Sequence, residues 1–184
     1  MNPKIVGLFG FPGSGKSSLS RSLSDEYNVL FKDLIAKEQC TELNGFFDKM
    51  SFKTYLYENF SKNKNFLMEL MMQGIREDRI NVFDAITTLY EHQYLANHNI
   101  DYTLVGIWAP QKDRIKRIVK NTRIQPVNFD EPINMREFYE LDKRVLSYFI
   151  NEENTSLFQV ADQIISNTDS FEVLQQRFYD TIKK

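Results

Sequence analysis

Residues 10–17 contain the residue types best suited to binding a polyphosphate. Their sequence, Gly10-Phe11-Pro12-Gly13-Ser14-Gly15-Lys16-Ser17, fits the pattern G-x-x-x-x-G-K-[ST] at every fixed position. Glycines let successive backbone N–H groups curl around an anion, in conformations that a Cβ would obstruct. Lys16 supplies a positive charge for the β- and γ-phosphates, and the Ser17 hydroxyl can coordinate Mg²⁺. The motif therefore predicts a nucleoside triphosphate site. Its candidate binding residues are Gly10, Pro12, Gly13, Ser14, Gly15, Lys16, Ser17 and Ser18.

Two carboxylates stand where apolar segments end. Asp84 follows the apolar run Ile80–Phe83, and Asp33 follows a second run, Asn28–Phe31. A carboxylate in the position of Asp84 can hold Mg²⁺ through water and orient an acceptor. Ser17 and Asp84 are thus the candidate metal ligands, and Asp33 is a candidate for contacting or deprotonating the acceptor. For both aspartates the alternative is a helix N-cap, where Asp is favoured.

A strongly basic segment spans Lys112–Arg123. Phosphoryl transfer spreads negative charge over the moving phosphate, so cations that close over it accelerate the reaction. Arg114, Arg117 and Arg123 are the candidate catalytic arginines, and the first two share a helix face because they lie three residues apart. The alternatives are a solvated basic face and a patch that binds nucleic acid.

Hydrophobic spacing predicts an alternation of strands and helices. The predicted strands are Lys4–Phe9, Asn28–Phe31, Ile80–Phe83, Tyr102–Ala109 and Gln163–Ile165. The predicted helices are Ser17–Tyr27, Asp33–Cys40, Phe66–Arg76, Ala85–Asn97, Lys112–Lys120, Asn134–Ile150 and Ser170–Lys184. This alternation predicts an α/β fold whose parallel sheet carries helices on both faces. Such sheets bind ligands at the carboxyl ends of their strands, where the candidate residues lie.

Composition narrows the class of protein. The 184 residues are 42% hydrophobic with a formal net charge of −2, which disfavours a general electrostatic binder of nucleic acid. One cysteine and two histidines exclude an internal disulfide and a Cys/His zinc site. No apolar run approaches the ~20 residues needed to span a membrane. We expect one soluble, cytoplasmic domain covering residues 1–184.

The motif and its surroundings resemble small nucleotide kinases: the adenylate-kinase-like nucleoside monophosphate kinases and the dephospho-CoA kinases. The residues Gly10–Ser18 (GFPGSGKSS) resemble the opening of these enzymes, and the C-terminal segment Ala161–Asn167 (ADQIISN) resembles their A-D-x-(apolar)-I-x-N segment. Weaker similarities are found at Phe31–Ile35, at Asn81–Asp84, and at Trp108–Pro110 with the arginines that follow it.

The resemblance implies a three-layer P-loop kinase fold with a parallel five-stranded sheet. It also implies a small acceptor-binding insert around residues 33–65 and a lid around residues 121–132 that carries arginines. Asn167 would lie in the loop that packs on the adenine. The implied reaction moves the γ-phosphate of Mg-ATP to a nucleoside or deoxynucleoside monophosphate, a small-molecule acceptor.

Residues 84–88 (DAITT) have neither the arginine nor the proline that these kinases often have there, which counts against a dephospho-CoA kinase and leaves room for a nucleotide-binding switch. Three alternatives stay open. The first is a dephospho-CoA kinase or another small-molecule kinase. The second, from another class, is a nucleotide-binding switch or regulatory ATPase, and the third is a kinase for RNA or DNA ends. No N-K-x-D motif for reading guanine is found, which favours ATP as the donor.

Overall fold

Five short, largely apolar segments form the strands of one parallel sheet. The computed structural model describes residues 4–45, 49–98, 100–121 and 155–183. The strands are β1 (Lys4–Phe9), β2 (Tyr27–Leu30), β3 (Ile80–Phe83), β4 (Asp101–Trp108) and β5 (Gln163–Ser166). The helices in the described ranges are α1 (Lys16–Ser22), α2 (Lys32–Asn44), α3 (Lys49–Lys62), α4 (Phe66–Gln73), α5 (Leu89–Ala96), α6 (Gln111–Asn121), α7 (Thr155–Val160) and α8 (Phe171–Ile182).

The strand order is β2-β3-β1-β4-β5, so β1 lies at the centre of the sheet. Gly7 of β1 is paired with Phe83 of β3, and Phe83 is paired with Leu30 of β2. The carboxyl ends of these three strands therefore meet at one edge. The segments that follow them, residues 10–16, 31–33 and 84–88, lie side by side.

Alternation along the central strands directs side chains into two cores. Ile5 and Phe9 of β1 pack on one face, in a cluster that includes buried residues of α2, α4, α5 and α7. Val6 and Leu8 pack on the other face, against α1 and α8. Each face of the sheet is thus covered by helices, and the predicted α/β fold with a parallel five-stranded sheet is confirmed.

The helix boundaries differ from the predictions where local capping decides them. The predicted helix Ala85–Asn97 begins instead at Leu89, because Thr88 and Glu91 form a reciprocal capping box. The first helix ends at Ser22 rather than at Tyr27, since Tyr27 belongs to β2. Two helices, α2 and α3, occupy most of the acceptor insert predicted around residues 33–65.

Residues 122–154 lie outside the described ranges. The predicted helix Asn134–Ile150 and almost all of the predicted lid fall within this segment. Over the ranges that are described, none of the helices combines the length and apolar character needed to cross a bilayer.

Candidate functional site

The phosphate loop, residues 10–17, connects β1 to α1 at the centre of the sheet edge. A hydrogen bond from the Ser14 N–H to the Phe11 carbonyl closes its turn at 3.0 Å. Gly13 and Gly15 have φ angles of +77° and +101°, a region that residues with a Cβ rarely adopt. A Cβ at Gly15 would also collide with the side-chain amide of Asn167. The glycines of the motif are therefore required by the loop's shape.

Lys16 is the first residue of α1, and its side chain extends to the end of β3. Its Nζ donates a hydrogen bond of 2.5 Å to the backbone carbonyl of Asp84. Burial lowers the pKa of Lys16 from its ordinary value, while the nearby charges of Asp84 and Asp33 act in the opposite direction. The ammonium is therefore a desolvated cation beside two carboxylates, and an added anion would interact with it strongly.

The residues of the loop fit a triphosphate and its metal ion. The buried Ser14 hydroxyl has no hydrogen-bond partner within the part of the chain that the structure describes, so a ligand could provide one. Ser17 and Ser18 are exposed in the first turn of α1, whose positive dipole end faces the loop. The Ser17 hydroxyl and the Asp84 carboxylate supply the oxygen ligands that Mg²⁺ prefers.

The two predicted carboxylates lie at the same edge of the sheet. Asp84 follows β3, and its Oδ1 accepts a hydrogen bond of 3.0 Å from the backbone N–H of Lys32. Asp33 is exposed in the first turn of α2. Both charges raise the pKa of Lys16, against the larger effect of burial. Asp33 also lies where an acidic residue stabilises a helix dipole.

Two of the predicted arginines contact the carbonyl groups of the phosphate loop. Arg114 is buried and donates to the Pro12 carbonyl at 3.1 Å, and its guanidinium lies 5.1 Å from the centre of the Phe11 ring. Arg117 donates to the Gly13 carbonyl at 3.3 Å. Arg123 lies outside the described residues. In this structure Arg114 and Arg117 hold the loop, and their role in phosphoryl transfer stays a prediction.

Asn167 connects the end of β5 to the phosphate loop. Its Nδ2 donates a buried hydrogen bond of 2.6 Å to the Ser14 carbonyl. Arg117 donates from Nη2 to the Asn167 backbone carbonyl at 2.8 Å and to its Oδ1 at 3.4 Å. Both ends of the Asn167 amide therefore contact protein groups, and its predicted packing on an adenine stays a prediction.

The acidic residue of the Ala161–Asn167 segment, Asp162, is bonded to the backbone of β4. Its Oδ2 accepts a hydrogen bond of 2.7 Å from the Leu104 N–H, and its own N–H donates to the Leu104 carbonyl at 3.0 Å. These bonds fasten the start of β5 to β4. Because Asn167 follows this strand, the pairing sets how far Asn167 reaches toward the phosphate loop.

Three residues at the site were not predicted from the sequence. The Phe158 ring stacks on Phe11 of the phosphate loop at 5.3 Å between centroids. The ammonium of Lys32 is paired with Glu91 at 2.9 Å. For Glu91 a signal exists, since Thr88-x-x-Glu91 matches the capping-box pattern. For Phe158 and Lys32 no local pattern marks the role, because their partners are far away in the sequence.

Comparison with known proteins gives relatives of similar length. The chain is 23% identical over 188 residues to a UPF0200 protein of Methanococcus vannielii, covering 98% of this chain and 96% of that protein. It is 31% identical over 105 residues to a UPF0200 protein of Thermoplasma acidophilum, covering 57% of this chain and 53% of that protein. No protein-family profile matches the chain.

Solved structures of kinases share the fold. Shikimate kinase from Acinetobacter baumannii, in complex with shikimate, has a TM-score of 0.58 at 13% identity, covering 98% of this chain and 94% of the other. The APS kinase of Mycobacterium tuberculosis, in complex with AMPPNP and APS, has a TM-score of 0.52 at 18% identity, covering 100% and 99% of the two chains. The protein therefore has the P-loop kinase fold.

Proposed function

We propose that this protein is an ATP-dependent phosphotransferase that moves the γ-phosphate of Mg-ATP to a nucleoside or deoxynucleoside monophosphate. The observation that carries the proposal is the position of Lys16. Its desolvated ammonium lies between the phosphate loop and the carboxyl end of β3, at 2.5 Å from the Asp84 carbonyl. A donor phosphate held by the loop and an acceptor held beside Asp84 would meet at this cation.

In the proposed reaction, the backbone N–H groups of the phosphate loop and the α1 dipole bind the donor phosphates. Lys16 exchanges its bond to the Asp84 carbonyl for phosphate oxygens and stabilises the charge that spreads over the transferred group. The Ser17 hydroxyl and the Asp84 carboxylate would hold Mg²⁺, which would supply positive charge against the donor phosphates. Asp33 and Asp84 would accept hydrogen bonds from hydroxyl groups of the acceptor and so orient it for an in-line transfer, which requires no covalent enzyme intermediate.

We assign the acceptor site to the helices α2, α3 and α4, which lie beside this centre. They pack on the same face of the sheet and contribute Tyr55, Phe66 and Met71 to its core. The APS kinase that shares the fold was solved with APS bound, and the shikimate kinase with shikimate. Small anionic acceptors are therefore compatible with this architecture, and a dephospho-CoA kinase or another small-molecule kinase is the second candidate.

A pooled acceptor screen tests the proposal. The protein is incubated with Mg-ATP and a mixture of ribo- and deoxynucleoside monophosphates, dephospho-CoA, shikimate and APS, and all phosphorylated products are followed by mass spectrometry. We expect transfer to one or a few nucleoside monophosphates. Transfer to dephospho-CoA or to another acceptor instead would support the second candidate.

The control variants use two lysines. Lys16→Ala should lower transfer by about 10³-fold or more, since it removes the cation at the transferred phosphate. Lys183→Ala, at an exposed lysine after α8, should turn over like the unmodified chain. Normal transfer by Lys16→Ala would refute the mechanism. ADP formation without any phosphorylated acceptor would favour an ATPase or a nucleotide-dependent switch.

A further inference from the structure

Lys32 is a buried lysine at the start of α2, beside the candidate site. Its Nζ donates to Glu91 Oε1 at 2.9 Å and to Thr87 Oγ1 at 2.8 Å. The side chains of Lys32 and Glu91 are 7% and 4% exposed. A charge this deeply buried is tolerated when it is paired and hydrogen-bonded, as Lys32 is here.

The backbone of Lys32 contacts the candidate metal ligand. Phe31 occupies the N-cap position of α2 and provides no side-chain cap. The Asp84 carboxylate takes this place from another strand, since its Oδ1 accepts the Lys32 N–H at 3.0 Å. The backbone N–H of Lys32, which has no acceptor within α2, is thereby hydrogen-bonded. The same bond holds one carboxylate oxygen of Asp84 in position.

Glu91 anchors this arrangement to α5. Its Oε2 accepts from the Thr87 N–H at 2.6 Å and from the Thr88 N–H at 3.2 Å. Its Oε1 remains for the Lys32 ammonium. The same glutamate therefore caps α5 and holds the start of α2, and the segment that contains Asp84 lies between the two helices.

A continuous set of bonds thus runs from the phosphate loop to α5. Lys16 donates to the backbone carbonyl of Asp84, and the Asp84 carboxylate accepts from Lys32. Lys32 is in turn paired with Glu91. The charge of the Lys32 ammonium also contributes to lowering the pKa of Lys16, after the larger effect of burial.

We propose that Lys32 is a positioning residue for phosphoryl transfer: its backbone N–H orients the Asp84 carboxylate, and its side-chain anchor on Glu91 keeps that N–H in place. This inference rests on the proposed function. Lys32 itself need not touch the substrates, since its ammonium is directed at Glu91 and Thr87. The alternative is an ion pair that only stabilises the fold.

Two variants at position 32 separate these roles. Lys32→Ala removes the ammonium and keeps the N–H, whereas Lys32→Pro removes both. Proline fits this position, because Lys32 is the first residue of α2 and the preceding Phe31 is extended, with φ −87° and ψ 104°. Glu91 retains its bonds to the 87–88 backbone in both variants, so α5 keeps its cap. Lys183→Ala, at an exposed lysine after α8 and outside the acceptor insert, is the control.

The expected result is a split between kcat and the KM for ATP. Misplacing a reacting group by about 1 Å costs up to about 100-fold in rate, so we expect kcat about 10-fold lower in Lys32→Ala and about 100-fold lower in Lys32→Pro. The KM for ATP should change less than about threefold, because the phosphate loop is intact. Equal kcat values in Lys32→Ala and Lys32→Pro would overturn the proposal. So would parallel losses of kcat and folding stability across the variants.

Hydrogen exchange provides a readout that needs no phosphoryl transfer. The amide of Lys32 should exchange about 10-fold faster or more in Asp84→Ala than in the unmodified chain, and in Lys32→Ala the amide at position 32 should also lose protection. Unchanged exchange in both variants would overturn the inference even if the kinase is active. If the unmodified chain transfers no phosphate to any acceptor, the proposed function fails, and the exchange result then decides only whether the Lys32 side chain keeps its N–H on the Asp84 carboxylate.

Discussion

The hydrogen bond between Asn167 and the phosphate loop leads to a prediction that separates two roles for this residue. If Asn167 supports the loop, Asn167→Ala should weaken every ligand that the loop binds. If Asn167 instead reads the base, only ligands that contain a base should be affected. Inorganic tripolyphosphate contains the phosphates without a base, so it distinguishes the two roles.

The magnitude follows from what Asn167→Ala leaves behind. The Ser14 carbonyl loses its buried donor at 2.6 Å, and among the described residues it keeps only the Arg117 Nη1 at 3.5 Å, the limit of a hydrogen bond. Losing one partner of a buried hydrogen bond costs about 1–2 kcal/mol. If the ligand must restore the native shape of the loop when it binds, this free energy is subtracted from the binding free energy. The loss then corresponds to about 5- to 30-fold in affinity. We expect this loss for ATP and tripolyphosphate alike.

Isothermal titration calorimetry of both ligands measures the effect, and two further variants control it. Asn167→Asp places a carboxylate oxygen against the Ser14 carbonyl, so it should weaken binding more than Asn167→Ala does. Thr168→Ala changes the exposed neighbouring residue and should bind like the unmodified chain. Weaker binding of ATP with unchanged binding of tripolyphosphate would refute the supporting role and favour contact with the base.

Two more predictions concern the surroundings of the site. Phe158→Ala removes the half-buried ring that stacks on Phe11 and packs edge-on against Phe9. This change should lower the free energy of unfolding by about 2–3 kcal/mol. Chemical denaturation measures the loss, which should be smaller in Phe158→Leu. Burial lowers the pKa of His92 from its ordinary 6.5, although the charge of Asp162 acts in the opposite direction. Since the unfolded chain then binds more protons, the unfolding free energy should fall relative to that of His92→Gln as the pH decreases from about 7.5 to about 5. A difference that is constant over this range would contradict the prediction.

The phosphate loop shows how much a local pattern can determine. Its shape depends on the positive φ angles of Gly13 and Gly15 and on the position of Lys16 at the start of α1, and all of these are written within eight consecutive residues. The strands β1 and β3 were equally predictable, because an apolar run bounded by polar residues specifies a buried strand with little outside help.

Helix boundaries were predictable only in part. The capping box at Thr88 and Glu91 sets the start of α5. Its pattern can be found in the sequence, but the spacing of apolar residues predicted a helix that begins earlier, at Ala85. The helix α3 had no clear signal, since polar and aromatic residues alternate irregularly through it. Its position depends on packing against α2 and on the ring contacts of Tyr55 and Phe60 with Phe66 of α4, which periodicity within α3 does not reveal.

By itself, the sequence determined the shape of the loop at residues 10–17, the class of fold, and the residues that end the strands. Only the tertiary structure decided how these residues meet. The amide of Asn167 binds the carbonyl of Ser14 across 153 positions, and Lys32 pairs with Glu91 across 59. The physical reason is the sheet order, which places β1 between β3 and β4 and so brings distant strand ends to one edge. Propensity and periodicity act over a few residues, whereas these contacts exist only after the strands have paired.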